Sequence, residues 1–172
     1  MRYLTLWLLA MVLPVQAATL GGRIIHVADG DTVTVLDGSK TQHVVRLAGI
    51  DAPEKSQPYG RASRRALFES LHDREVVVDW HKVDRYGRLV GRITVEGRDA
   101  NLSQLQAGLA WWYRAYAHEQ SQAERSAYVA AEEQARQAGL GLWREHSPVA
   151  PWDFRRAGRS ATETAVALPV NQ

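Results

Sequence analysis

The sequence predicts an α+β protein, a five-stranded β-barrel with helices, on three observations. Five short runs rich in Val, Ile, Leu and Thr are separated by turn residues, one helical stretch follows the third run, and further helical stretches come after the fifth. The composition, 45% hydrophobic and 23% charged, is that of an ordinary globular protein. At 172 residues the chain holds one domain plus extensions, and no internal repeat is visible.

The amino terminus stands apart. Arg2 precedes an almost wholly apolar stretch from Tyr3 to Pro14, and Val15-Gln16-Ala17 has the spacing of a cleavage site. Residues 1–17 therefore read as a bacterial signal peptide, with a mature start at Ala18, a secreted or periplasmic location and no membrane association after cleavage. A membrane anchor is the weaker reading, since the apolar run falls well short of the ~20 residues that span a bilayer.

Residues 18–146 carry the barrel. Strands are expected at Arg23–Ala28, Thr32–Leu36 and Gln42–Leu47, with Asp37-Gly38-Ser39-Lys40 as the hairpin between the second and third. A breaker cluster from Pro53 to Gly60 leads into a helix over Arg61–Leu71, with Ala62, Ala66, Leu67 and Leu71 at helical spacing. Two more strands follow, Glu75–Trp80 and Leu89–Val95. Beyond Gly97 the chain turns helical over Ala100–Gln106 and again over Gln120–Gln137, which Gly139 stops. The tail, 147–172, has prolines at 148, 151 and 169 and no periodicity after Ser160; it is expected to be strapped on or disordered. Within it, Trp152-Asp153-Phe154-Arg155-Arg156 suits either nucleic-acid contact or docking of Trp152 and Phe154 on the barrel.

Charge excludes one mode of action. Without residues 1–17 the balance of Lys+Arg to Asp+Glu goes from 21 against 19 to 20 against 19. A bulk electrostatic footprint for nucleic acid is absent, so polyanion affinity must come from locally placed Arg and Lys. There is no cysteine, which removes disulfides, thiolate metal sites and cysteine nucleophiles.

Two acidic motifs flank the second and third strands. Asp29-Gly30-Asp31-Thr32 forms the turn before the second, and Arg46-Leu47-Ala48-Gly49-Ile50-Asp51-Ala52-Pro53-Glu54 closes the third. Singly, an Asp-Gly-Asp sequence is most often only a turn. Together they say more: with Asp37 paired to Lys40 across the hairpin, Arg46 falls directly opposite Asp31 and shares its face. Asp51 lies an odd number of residues beyond Arg46 and would face the other way in a flat strand, unless Gly49 bends the chain. Two carboxylates, an arginine and Glu54 then meet at one end of the barrel, a set suited to phosphodiester chemistry with a hard cation such as calcium or magnesium. The turn Asp84-Arg85-Tyr86-Gly87-Arg88 supplies a second arginine; its plainer reading is a solvated hairpin.

On Asp29-Gly30-Asp31-Thr32, Arg46 with Asp51-Ala52-Pro53-Glu54, and Tyr86-Gly87-Arg88, in this order and spacing, the chain resembles the thermonuclease family, that of staphylococcal nuclease, from about Ile24 to Trp143. The resemblance implies a five-stranded oligonucleotide-binding (OB) fold and a calcium-dependent endonuclease acting on DNA and/or RNA. It implies one calcium held by Asp31, Asp51 and the backbone oxygen of Ala52, catalysis by Arg46, Glu54 and Arg88, and substrate contacts from Arg85, Tyr86 and Tyr116. Arg46 and Arg88 would clamp the phosphate, and Glu54 would orient or deprotonate the attacking water. Ala52 stands where the family commonly has Thr, and the loop from Lys55 to Tyr59 is short. The first of the family's two tyrosines near the nucleotide falls at Arg114 without a gap and at Tyr113 with one, and the choice is open.

Trp111, Trp112, Tyr113 and Tyr116 could stack bases, though at least two of them suit a core better. The six histidines lack the paired spacing of zinc sites and read as surface residues. His81 and Lys82 read as extra positive charge beside the Asp84 turn. The rival functions are a non-catalytic OB-fold module that binds single-stranded nucleic acid and a protein-interaction barrel. Nothing in the sequence suggests more than a monomer.

Overall fold

The computed structural model describes residues 18–166, with side chains as far as Ser160. The expected signal peptide and the last six residues lie outside the described residues.

The elements are β1 (Ala18–Val27), β2 (Thr32–Asp37), β3 (Gln42–Leu47), β4 (Ile50–Asp51), α1 (Gly60–Leu71), β5 (Glu75–Val83), β6 (Leu89–Val95), β7 (Arg98–Asp99), α2 (Ala100–Gln106), β8 (Trp111–Trp112), α3 (Gln122–Gln137) and α4 (Pro151–Val166). Short 3-10 turns at Arg114–Glu119 and Gly141–Arg144 join the later ones. Strands run in the order β3-β2-β1-β5-β6, and a parallel pairing of β3 with β6 joins the two edges. This is the closed five-stranded barrel with helices that the sequence predicts. Closure removes the exposed sheet edges that an open sheet of this size would leave.

The alternation of each strand fills the barrel. Ile24, Val33, Val35, Val45, Val78 and Ile93 point inward and are fully buried. Leu67 and Leu71 of α1 and Leu105 of α2 join the same core, and Tyr128 and Ala131 of α3 close over it. In α1 the buried face is Gly60, Ser63, Leu67 and Leu71, so Ala62, expected in the core stripe, is exposed. α3 opens with a capping box between Ser121 and Glu124, which satisfies its first backbone donors reciprocally.

The β2–β3 register differs from expectation by one residue. Lys40 takes a left-handed conformation (φ 64°), and the Asp37 N–H donates to the Thr41 carbonyl at 3.0 Å, so the loop holds one more residue than a two-residue hairpin. Arg46 therefore faces Thr32, not Asp31.

The tail also differs. Pro151 opens a helix where no regular structure was expected; its missing N–H costs nothing at a first helical position. Trp152 stacks on Tyr113 (centroids 5.4 Å, 4° between planes) and meets Trp111 edge-on at 5.7 Å. Ala150 is buried with Trp111 and Leu142 in a small second core.

Candidate active site

The sequence brings its acidic motifs together by two local devices. Asp31 sits in the β1–β2 turn, one residue before β2, where its own N–H donates to Asp29 and the Leu47 N–H donates to its carbonyl at 2.8 Å. Gly49 takes a left-handed φ of 73°, turning the chain out of β3 so that Ile50 and Asp51 pair with Trp112 and Trp111 as a separate small sheet. The bend expected at Gly49 is thus what returns Asp51 to the side of Arg46.

Arg46 bridges the two aspartates: one terminal nitrogen lies 3.1 Å from Asp31 Oδ2 and the other 2.8 Å from Asp51 Oδ1. The pairing predicted for Asp31 and Arg46 is therefore made, by side-chain reach from the turn and not by direct opposition across strands. Asp51 is 1% exposed and Asp31 5%. Ala52 N–H donates to Asp31 Oδ2 at 2.6 Å and Thr32 Oγ1 to Oδ1 at 3.1 Å. Burial pushes the Asp31 carboxyl up to about 7, although Arg46 pulls the other way, with Asp29 and Asp51 adding to the rise.

These residues line a cavity of about 410 Å³ that also receives Glu54, Arg85, Tyr86, Arg88, Tyr113 and Tyr116. All nine residues predicted for the site are on this one surface. Arg88 is held at its wall by Asp84, whose Oδ2 accepts from Nε at 2.8 Å while Oδ1 accepts the N–H groups of Tyr86 and Arg88. Tyr86 is 68% exposed, with the Arg85 guanidinium 4.8 Å above its ring. Tyr116 packs edge-on against Tyr113 at 4.8 Å, with the Lys82 ammonium over its ring, 4.7 Å from the centroid. His81 and Lys82 both bond Glu119, so they are paired instead of adding free positive charge beside the Asp84 turn. Of the histidines, none is buried.

A profile described as Staphylococcal nuclease homologue matches residues 44–145. The chain belongs to the staphylococcal nuclease family. The nuclease is similar to an "Uncharacterized endonuclease" of Escherichia coli O157:H7, 36% identical over 155 residues that cover 90% of this chain and 97% of the relative. It is also 35% identical to an "Uncharacterized endonuclease" of Haemophilus influenzae, over 78% of this chain and 72% of that one. A "Micrococcal nuclease" of Shigella flexneri is 36% identical, over 84% and 86% respectively. Membership decides between the enzyme and the pure binding module: the protein is a nuclease, a hydrolase whose substrate is nucleic acid.

Sequence reasoning left one contributor to the nuclease site open, Tyr113 against Arg114, and missed three others, Asn101, Gln104 and Arg155. Tyr113, not Arg114, lines the cavity, since Arg114 turns away to Glu132 at 2.8 Å; burial first, then the Asp51 charge, raises the Tyr113 hydroxyl above its usual range. Asn101, fully buried in α2, accepts from Ile93 N–H and donates to Ala48 and Gly91 carbonyls, holding the chain beside the Gly49 bend. Gln104 donates to the Gly30 carbonyl at 2.8 Å and to the Ser63 carbonyl at 3.1 Å, tying the Asp31 turn to α1. Buried Asn and Gln in an amphipathic helix were the available signal, because such groups must find partners.

The third is Arg155 of α4. Its terminal nitrogens reach Glu54 Oε1 at 2.7 Å and Asp51 Oδ2 at 2.8 Å. Burial alone would lower its pKa, but the bonds to Asp51 and Glu54 outweigh that and raise it. The sequence marks Arg155 only as part of the stretch Trp152–Arg156, with nothing to tie it to Asp51 or Glu54.

Proposed function

We propose that the nuclease is an exported, calcium-dependent endonuclease that hydrolyses phosphodiester bonds in DNA and/or RNA, with Asp31, Asp51 and Ala52 as the cation seat and Arg46, Glu54 and Arg88 as the catalytic groups. The observation that carries this reading is the convergence of two buried carboxylates, a third carboxylate and two arginines on one open cavity. Such a cluster costs stability and is of use where a phosphate's negative charge must be met.

The donor set fits a hard divalent cation. Its atoms are carboxylate and carbonyl oxygens, and the two carboxylates, Asp31 and Asp51, are buried side by side with one guanidinium, Arg46, between them. Among the described residues no three acidic or histidine side chains gather tightly enough to hold an ion alone, so Asp31 and Asp51 would share it with a backbone oxygen and water. When bound, the ion supplies positive charge to the phosphate oxygens and acidifies water.

The chain's own groups do the rest. Arg46 and Arg88 present planar donors to the non-bridging oxygens, where charge grows as the nucleophile attacks. Glu54, half-buried at the rim, orients or deprotonates that water. Tyr86 and Tyr116, both exposed on the cavity, flank the nucleotide, and Arg85 stands by an outer phosphate.

Digestion of single-stranded DNA by purified residues 18–172, with calcium, magnesium or chelator, tests this. Calcium-dependent cleavage that collapses in Glu54→Gln and Arg88→Ala is the expected result; cleavage insensitive to chelator would remove the ion from the reading. Sequencing the amino terminus of periplasmic or external protein tests export: a start at Ala18 is expected, and an intact Met1 would overturn cleavage.

A further inference from the structure

Five side chains form one line of alternating charge: Asp31, Arg46, Asp51, Arg155, Glu54, each in ionic contact with the next. Counted as ionised groups, three carboxylates face two guanidiniums, an excess of one negative charge. Without Arg155 the excess is two, the charge of one divalent cation.

From this we infer that Arg155 is the internal counter-ion of the cation seat, exchanged for the divalent ion when that ion binds, so that Arg155 sets the affinity of the site. The inference rests on the reading of Asp51 as a cation ligand. Three features carry it. Asp51 Oδ1 already accepts from Arg46 at 2.8 Å and, more weakly, from Arg155 at 3.3 Å, while Oδ2 accepts from Arg155 at 2.8 Å. An ion ligated through Asp51 therefore competes with Arg155 for these oxygens. The same guanidinium also holds Glu54, so its departure releases the carboxylate assigned to the water.

The arginine is also built to move. The first turn of α4 is fixed independently of it, by Trp152 on Trp111 and Tyr113 and by the Val149 carbonyl accepting from Gln57 at 2.6 Å. Arg155, one turn on, is 35% exposed at the side chain and reaches the carboxylates through a flexible stem, so it swings aside without undocking the helix. An arginine, always charged, keeps the buried Asp51 compensated until an ion takes its place.

Calcium and magnesium binding are measured by isothermal titration for the wild type and for Arg155→Gln, Arg155→Lys and Arg159→Gln, with thermal unfolding in chelator and in saturating calcium. Arg155→Gln is expected to bind calcium at least about tenfold more tightly, and Arg155→Lys, which keeps charge but loses the paired donors, to fall between. Arg159→Gln lies on the same cavity wall and is expected to change affinity less than about threefold, which separates specific exchange from general repulsion. In chelator Arg155→Gln should unfold at lower temperature than the wild type, and in calcium the gap should close. Equal or weaker calcium binding by Arg155→Gln, or an equal loss of stability with and without calcium, overturns the exchange and leaves the calcium reading intact. No binding of either ion by any of the four proteins overturns both.

Discussion

Arg46 and Arg88 carry the same charge and the same assigned role, yet their surroundings make them separable. Arg46 bridges Asp31 and Asp51 and is largely buried, so in metal-free protein Arg46→Ala leaves the buried Asp31 without its ion pair and Asp51 with Arg155 alone. The expected cost is about 3–5 kcal/mol in urea unfolding with chelator. Arg88 sits at the rim with Asp84, and Arg88→Ala should cost less than about 1 kcal/mol. In single-turnover cleavage both should lose about a hundred- to a thousandfold, the usual effect of removing one preorganised donor. A drop of less than tenfold in a folded Arg88→Ala would contradict its assignment. These residues were legible because each lies in a short motif whose spacing is local. Arg155 was not, since nothing near it in the chain refers to Asp51 or Glu54, and only the docking of α4 makes them neighbours.

Among the elements, β1 to β6 were readable wherever the chain alternates over five or more residues, and α2 and β6 were predicted to the residue. The two-residue strands β4 and β8 were not, because a pair of residues has no period; their pairing depends on Gly49 and on Glu132, which is 2% exposed and accepts from the Trp112 N–H at 3.0 Å. The hairpin slip had a similar origin, since Lys40 is a residue type that rarely adopts a positive φ. Two substitutions test how elements position the site. Gln104→Leu strips the Gly30 and Ser63 carbonyls of a buried donor, and a loss of about 1–3 kcal/mol is expected in denaturant unfolding. Gly60→Ala puts a methyl carbon 1.9 Å from the Glu54 carbonyl oxygen, so the chain carrying Glu54 must shift. A rate loss of more than tenfold in cleavage assays is expected, with circular dichroism unchanged; full activity would show that Glu54 tolerates displacement.

For the whole molecule, the near balance of charge has a kinetic and a thermodynamic face. With Arg46, Arg85 and Arg88 as the cavity groups assigned to phosphate, two or three phosphates are neutralised, and binding to single-stranded DNA should vary with salt with a log–log slope of about −2. A slope steeper than about −5 in fluorescence titrations would mean a larger basic surface than Arg46, Arg85 and Arg88 supply. Calcium at a hundred times its dissociation constant should stabilise the fold by about 2.7 kcal/mol, a rise of roughly 5–10 °C in Tm for a chain of this size. Calorimetry with and without chelator reads this directly.

The cluster of Trp111, Trp143 and Trp152 has one more use. Trp111 is paired through its backbone with Asp51, and its ring leans on the helix that carries Arg155. Indole emission responds to nearby charge and packing, so the protein contains its own reporter. Events at the acidic cluster can be followed by intrinsic fluorescence, without a label, in the same cuvette in which the ion is added.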